Sequence, residues 1–405
     1  MGQAESHDEE ADGQEGIGAA GPEDAGAIKR QVPLEEGEET GKAFADYVKT
    51  LELAHGSADG TLLEKRRDCG LGCGGNDEGT ARKFARVIQD MIRRLLSEPS
   101  KERMRIFDNH TVTFDVEAGL LATFTECRST QFRRLRAAAG FTEDEYCKSM
   151  CGAPFAGGSK EKSGKSGSLF LRSHDGRLVL KTIEQHEFEA LHDILPNYVL
   201  YLEENASSLL CRFFAAYSLN VGATTLRFVV MANVLPHKAL QVYDLKGTTE
   251  DRWVDPLPNR VLKDNNFQSL VMVLDPEDRQ RIVQVIRDDA EFLESLGLMD
   301  YSLLVGMSEE CTPTVNRSCK AVPGALRDLG KGTLETQVFQ LGIIDYLQRW
   351  TSKKVAAHWL KKPTIGCFHE IDTEPPKIYC SRFYKYLAQK IVAKASQTAV
   401  TNGHA

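Results

Sequence analysis

Residues 81–97 carry the clearest periodicity in the chain. Phe84, Val87, Ile88, Met91, Ile92, Leu95 and Leu96 recur at i, i+3, i+4, i+7, i+8, i+11 and i+12, while Arg82, Lys83, Arg86, Arg93 and Arg94 take the remaining surface. That spacing predicts an amphipathic helix, ended by Pro99. Its apolar stripe is expected to pack on its own domain or on a second subunit, with a membrane surface as the alternative. From 105 to 234 the pattern reads mostly as strands with one or two helices, and 177–183 and 226–234 are β-rich runs. Residues 278–298 read as a helix with Ile282, Val283, Val285, Ile286, Phe292, Leu293 and Leu296 as its apolar set. A further helix is expected from 381 to about 395. The predicted organisation is a β-rich N-terminal lobe followed by a mixed or helical C-terminal lobe, without repeats.

Composition sharpens this picture. Of 405 residues 41% are hydrophobic and 8% aromatic, enough to fill a core, which excludes wholesale disorder. The apolar runs are short, and the one at 226–234 is broken by Arg227, far below the roughly 20 residues a span requires. With no signal-like stretch either, a soluble, non-secreted protein is expected. The net charge of −8 hides a division: residues 1–60 hold 15 Asp or Glu against 4 Lys or Arg, a balance of −11, leaving +3 on the rest. Residues 1–80 are therefore expected to form a disordered acidic tail, and 396–405 a second short one. The ten cysteines form no disulfide framework, and the pairs Cys69/Cys73 and Cys147/Cys151 lack partners at zinc spacing. Met1-Gly2-Gln3-Ala4-Glu5-Ser6 fits the pattern for N-myristoylation of Gly2, an anchor that needs a second membrane contact.

Chemistry enters with residues 162–170. Ser163, Gly164, Lys165, Ser166, Gly167 and Ser168 precede a strand, and backbone N–H groups among such small residues can approach phosphate oxygens. A Walker A loop is excluded, because Ser159 stands where its first glycine is needed and no helix follows. A loop between strands instead suggests a phosphate-covering flap that leads to Lys181, fourteen residues after Gly167. Glu187 or Glu189, on the next helix, is placed to hold that lysine; a solvent-facing lysine is the bland alternative. Asp300 stands just before a buried strand and Asp345 at the end of an apolar run. Phosphoryl transfer needs one carboxylate near the attacking hydroxyl and another on Mg²⁺. Acids at such positions are otherwise caps or surface groups.

Asp244-Leu-Lys246-Gly247-Thr248-Thr249-Glu-Asp-Arg252, Lys263-Asp264-Asn265, Met299-Asp-Tyr-Ser-Leu-Leu304 and Ile343-Ile-Asp345 follow in that order. With the loop and Lys181, they resemble the phosphatidylinositol phosphate kinase family over about 250 residues, from Phe132 to Phe383. The resemblance implies a two-lobed α+β fold. An antiparallel-sheet N-lobe would run to about residue 234 and a mixed α/β C-lobe over 235–395, with ATP in the cleft between them and the catalytic domain starting near 131. Residues 81–130 would add the amphipathic helix and N-terminal strands. It implies transfer of the ATP γ-phosphate to an inositol hydroxyl, with Lys181 on the ATP phosphates, Asp300 beside the hydroxyl and Asp345 on Mg²⁺. Lys246 and Arg252 match basic positions that face the transferred or substrate phosphate, and Thr248 replaces the usual Ser. Family members often dimerise through the N-lobe, which makes 81–97 a candidate homodimer contact. No nucleic-acid partner is expected.

Residues 346–394 hold 10 Lys or Arg against 3 Asp or Glu, a balance of +7. Lys353 and Lys354 match the family's paired lysines, with Trp350, Trp359, Leu360 and Phe368 close by. Such a segment suits an anionic membrane surface. The residue two after the pair is usually Glu in 5-kinases; here it is Ala356, closer to the branch that phosphorylates the 4-position of phosphatidylinositol 5-phosphate. Trp359, however, lies where 5-kinases often carry tryptophan. The expected activity is a phosphatidylinositol 4-phosphate 5-kinase, peripheral on the cytoplasmic face of membranes. The alternatives are a 5-phosphate 4-kinase, a weakly active scaffold, or a kinase for soluble or protein substrates.

Overall fold

The computed structural model describes residues 31–33, 77–97, 108–117, 120–156, 168–236, 239–308, 320–351 and 374–395. The periodic stripe forms helix α1 (Asp77–Ser97), one turn longer than its pattern. Phe84, Val87, Ile88, Met91, Ile92 and Leu95 are buried and Leu96 partly so. They pack on helix α3 (Glu143–Cys151) and strand β2 (His110–Glu117) of the same chain. Gln89, on the same face, donates to the carbonyls of Met150 and Ala153, both at 2.7 Å. Of the expected partners for the apolar face, its own domain is the one the structure shows, and α1 offers the outside Arg82, Arg86 and Arg93.

Beneath α1 lies a seven-stranded sheet of β1 (Gln31–Pro33), β2, β3 (Leu120–Cys127), β4 (Phe170–Arg172), β5 (Leu178–Thr182), β6 (Phe213–Val221) and β7 (Thr224–Ala232). Its order is β1-β2-β3-β6-β7-β5-β4, antiparallel except at β1–β2. Thus three residues of the acidic segment expected to be disordered form an edge strand. Residues 105–234 hold three helices among the described residues instead of one or two: α2 (Ser129–Ala138), α3 and α4 (Gln185–Glu204). The two short ones bury Ser129, Arg136 and Ser149 beside Phe132, Leu135, Tyr146 and Met150, so their hydrophobic period is diluted. Arg136 stays buried because Glu143 accepts from its Nε at 2.7 Å and from Nη2 at 2.9 Å.

A second sheet forms the C-terminal lobe: β8 (Gln241–Leu245), β9 (Val261–Lys263), β10 (Leu270–Leu274), β12 (Ser302–Ser308), β13 (Lys320–Asp328), β14 (Thr333–Ile344) and β16 (Ile391–Ala393), in the order β16-β10-β13-β14-β12-β8-β9. The short β11 (Leu298–Met299) pairs with β15 (Gln348–Arg349). Helix α5 (Pro276–Ser295) stops before residue 298, because Gly297 takes a left-handed φ of 70° and its N–H caps the Glu294 carbonyl at 2.8 Å. Helix α6 (Pro376–Lys390) begins earlier than expected and ends earlier, since 391–393 turn into β16 and pair in parallel with β10. Among the described residues no helix is long and apolar enough to cross a membrane.

The lobes share one core. Residues 209–211, which lead into β6, bond to β14: Cys211 N–H donates to Ile343 O at 2.8 Å and Ile343 N–H to Leu209 O at 2.7 Å. The buried hydroxyls of Tyr198 and Tyr346 both reach the Cys211 carbonyl, at 3.1 and 2.5 Å. Asp289 on α5 accepts from Tyr201 Oη at 2.7 Å and Leu209 N–H at 2.6 Å. Burial pushes its carboxyl up to about 6, against the hydrogen bonds from Ser208, Tyr201 and Leu209, which lower it.

Candidate active site

Antiparallel pairing decides where the chemistry-bearing residues meet. Leu245 of β8 lies opposite Leu303 of β12, and Ser302 opposite Ile344 of β14. Because β8 and β14 run against β12, they leave the sheet at the end where β12 enters it. Lys246, Asp300 and Asp345, up to 99 residues apart in sequence, therefore converge on one sheet end.

Two ion pairs occupy that end. Lys246 Nζ donates to Asp300 Oδ1 in a short contact. Lys181, reaching from β5 of the other lobe, donates from Nζ to Asp345 Oδ1 at 2.9 Å. Both lysine side chains are only 14% exposed, whereas Asp300 is 31% and Asp345 49% exposed. Burial draws the Lys181 pKa down, but the charges of Asp345 and Glu187 outweigh it and leave it raised, so the ammonium stays charged. Glu187 exerts this influence without an ion pair of its own among the described residues. Its carboxylate accepts the Glu184 N–H at 2.9 Å and caps α4, while Glu189 accepts from Gln185 at 2.7 Å. The partner of Lys181 is thus Asp345, in place of the expected helix glutamate.

Asp300 and Asp345 share a further feature. Their φ values are 68° and 57°, left-handed backbone that costs a non-glycine residue about 1 kcal/mol or more. Aspartate tolerates this better than most residues, and both turns aim a short carboxylate at the sheet end.

Lys246 is fixed from below. Asp264, 2% exposed, accepts the N–H groups of Lys246 and Gly247 at 2.9 and 2.8 Å on one oxygen. Its other oxygen takes Arg252 Nε at 2.7 Å. Arg252 Nη2 donates to the Asp244 carbonyl at 2.5 Å and its carboxylate at 3.0 Å. Burial lowers the Arg252 pKa, yet Asp244 and Asp264 overcome this and raise it. Arg252, expected to face a phosphate, is 4% exposed and spends its Nε and Nη2 on these acids. Gly247, at φ 77°, admits α6 so closely that a Cβ there would lie 3.0 Å from the Tyr386 Cβ. Asp264 was legible only as part of the Lys263-Asp264-Asn265 segment; its role as shared acceptor depends on a contact across 18 residues.

A small cleft opens beside Lys181 between the lobes, walled by Ile183, Cys211, Val229, Met231 and Leu347. Burial, with the Asp345 charge adding, pushes the Cys211 thiol up to about 12, which leaves it an inert wall. Ala156 and Arg172, which flank the segment expected to form the flap, exchange backbone bonds of 2.9 and 3.1 Å. Ser168 lies just before β4. Ser163, Gly164, Lys165, Ser166 and Gly167 lie outside the described residues, as do Lys353, Lys354 and Ala356. Among the described residues no cluster of three His, Cys, Asp or Glu forms a metal cage.

Two lobes built on largely antiparallel sheets, with a lysine of one facing an aspartate of the other across an apolar cleft, match the arrangement expected of a two-lobed α+β kinase. The model of the family described as Phosphatidylinositol-4-phosphate 5-Kinase matches residues 158–321 and 320–390, and the chain belongs to this family of phosphatidylinositol phosphate kinases. It is 28% identical over 313 residues to a phosphatidylinositol 4-phosphate 5-kinase type-1 beta of Rattus norvegicus, covering 65% of this chain and 57% of the relative. It is 30% identical over 317 residues to a phosphatidylinositol 5-phosphate 4-kinase type-2 alpha of Homo sapiens, covering 65% and 77%. The chain thus spans little more than half the length of the type-1 beta relative, and both branches stand at similar identity.

Proposed function

We propose that this protein transfers the γ-phosphate of ATP to the inositol ring of a phosphatidylinositol monophosphate at an anionic membrane surface. The preferred reaction is on phosphatidylinositol 4-phosphate at the 5-position. The observation that carries the proposal is the pair of lysine–aspartate contacts at one sheet end, beside a small apolar cleft between the lobes.

In this reading Lys181 binds phosphate oxygens of ATP beneath the flap of residues 163–168, and its raised pKa keeps it cationic throughout. Asp345, half exposed and, among the described residues, not enclosed by further acids, fits Mg²⁺, which takes one or two carboxylates with substrate phosphates and water. When bound there, the ion supplies charge neutralisation for the transferred group. An oxygen of Asp300 accepts the proton of the inositol hydroxyl as the hydroxyl oxygen bonds to the γ-phosphorus and the bond to the departing ADP breaks. Lys246 positions the Asp300 carboxylate through their contact and offers its remaining N–H donors to the transferred phosphoryl. Arg252 works through Asp264, as a positioning residue for Lys246. Lys353 and Lys354 supply charge toward the lipid headgroups, and a myristoyl group on Gly2 would be the second anchor of a peripheral membrane protein. Mass spectrometry of protein made with a myristoyl transferase tests that modification.

Ala356 favours one second reading, phosphorylation of phosphatidylinositol 5-phosphate at the 4-position. Phosphate incorporation into vesicles of either monophosphate, with identification of the labelled ring position, separates the two. Label at the 5-position from the 4-phosphate supports the first reading, and label only from the 5-phosphate supports the second. Incorporation into neither leaves a scaffold.

A further inference from the structure

Large apolar side chains left in water are unevenly placed. Of the nine among the described residues, four fall within 240–261: Leu240 and Trp253 at 59% exposure, Leu257 at 55% and Val261 at 44%. The segment that carries Trp253 and Leu257 joins Arg252 to β9, the edge strand of the second sheet, which Val261 begins.

Trp253 is not exposed because its loop is loose. Arg252 O accepts the Asn265 N–H at 3.0 Å. On the other side the Asn266 side chain takes Val254 N–H at 3.1 Å and donates to Val254 O at 2.8 Å. Asn265 also donates to Thr249 O at 2.9 Å. The backbone on both sides of Trp253 is thus fastened to residues 265 and 266. Since β8 and β9 are parallel, with Asp244 opposite Lys263, those residues lie at the sheet end where Lys246 emerges. A rigidly held tryptophan therefore points outward at the end of the sheet where phosphoryl transfer is placed. Residues 255–260 continue it as a turn, closed by Arg260 N–H on Leu257 O at 3.2 Å.

From this placement we propose that residues 253–261 form a lipid-contacting surface, with Trp253 and Leu257 entering the headgroup boundary of the bilayer that holds the substrate. The inference rests on the lipid-kinase reading, because a phosphoinositide ring that reaches Lys246 brings its own bilayer to this sheet end. The chemistry of the segment fits. A tryptophan prefers the boundary between headgroups and acyl chains. Exposed Asp251, Asp255 and Arg260 surround the apolar groups with mixed charge, which suits a zwitterionic headgroup layer. The basic stretch at 346–394 attracts anionic lipid from a distance, whereas this segment contributes apolar area once contact is made. A second copy of the chain adding to edge strand β9 is the competing occupant.

The test uses the full chain with phosphatidylcholine vesicles that carry both phosphatidylinositol monophosphates, and compares Trp253→Ala and Leu257→Ser with the parent. Three readouts are taken: co-flotation with vesicles, quenching of tryptophan emission by brominated acyl chains, and turnover on vesicles against turnover on water-soluble short-chain substrates. The surface requires the parent to float and its emission to be quenched. It requires Trp253→Ala to lose roughly tenfold in vesicle partition and turnover, with the short-chain rate unchanged. Unchanged flotation and quenching overturn it. So does an equal loss on both substrates, or a dimer in sedimentation that Trp253→Ala dissolves while flotation stays intact. A parent inactive on both substrates defeats the kinase reading instead, a separate outcome because flotation and quenching involve no turnover.

Discussion

The two lysines of the candidate site live in opposite circumstances. Lys181 meets its aspartate across the cleft between lobes, and that aspartate is half exposed. Lys246 sits on a foundation inside one lobe, where Asp264 and Arg252 are nearly sealed from water and every bond runs between neighbours of a single sheet end. A pair with one half-exposed partner contributes less to stability and is more easily exchanged for a ligand. A buried one is costly to break because the surviving partner is left as an uncompensated charge. On this contrast rests the proposal that the pair between the lobes binds ligand while the network below sets geometry.

Breaking the foundation has the largest expected effect. Asp264→Ala strands the Arg252 guanidinium and two backbone N–H groups, and is expected to cost about 3–5 kcal/mol in denaturant unfolding. A loss within about 1 kcal/mol would show that water or Asp244 replaces it. On the other side of the contrast, Asp345→Gly is expected to change the unfolding free energy by no more than about 1 kcal/mol, because relief of the strained backbone offsets the lost contact with Lys181. Glycine accepts the left-handed φ that aspartate holds under strain. The same substitution is expected to lower phosphate transfer by on the order of 10³-fold. A stability loss of several kcal/mol from Asp345→Gly would erase the distinction between the pairs.

A smaller effect lies between the lobes, at Asp289. Its folded pKa of about 6 lies above the usual carboxylate value, so the folded state holds this proton the more tightly. Its contribution to stability is fully present below about pH 4 and is lost as pH rises through about 6. Unfolding free energies measured across that window, parent minus Asp289→Asn, are expected to fall with rising pH. A flat or rising difference would contradict this.

Much of this was legible in residue patterns, for reasons the structure makes plain. The stripe of α1 faces one continuous core, so its period is strict. Asp300 and Asp345 stand at the ends of apolar runs because those runs are neighbouring strands, β12 and β14. What was hidden depends on contacts distant in sequence. Arg252 carries the same residue letter whether it binds a phosphate or an acid, and only the approach of Asp264 decides between them. The exchange of Glu187 for Asp345 as the partner of Lys181 needs the closure of two lobes, which no local spacing records. Helix α6 was misjudged at both ends, because Ile391–Ala393 is drawn into a strand by β10, more than 100 residues earlier.

The central claim is that the convergent sheet end performs phosphoryl transfer with Asp300 as proton acceptor. The most direct measurement is the initial rate of phosphate transfer from ATP to phosphatidylinositol monophosphate vesicles, for the parent and for Asp300→Asn, with thermal unfolding of both recorded. Equal unfolding with a rate lower by roughly 10²–10⁴-fold is the predicted result. An Asp300→Asn rate equal to that of an active parent would contradict the account.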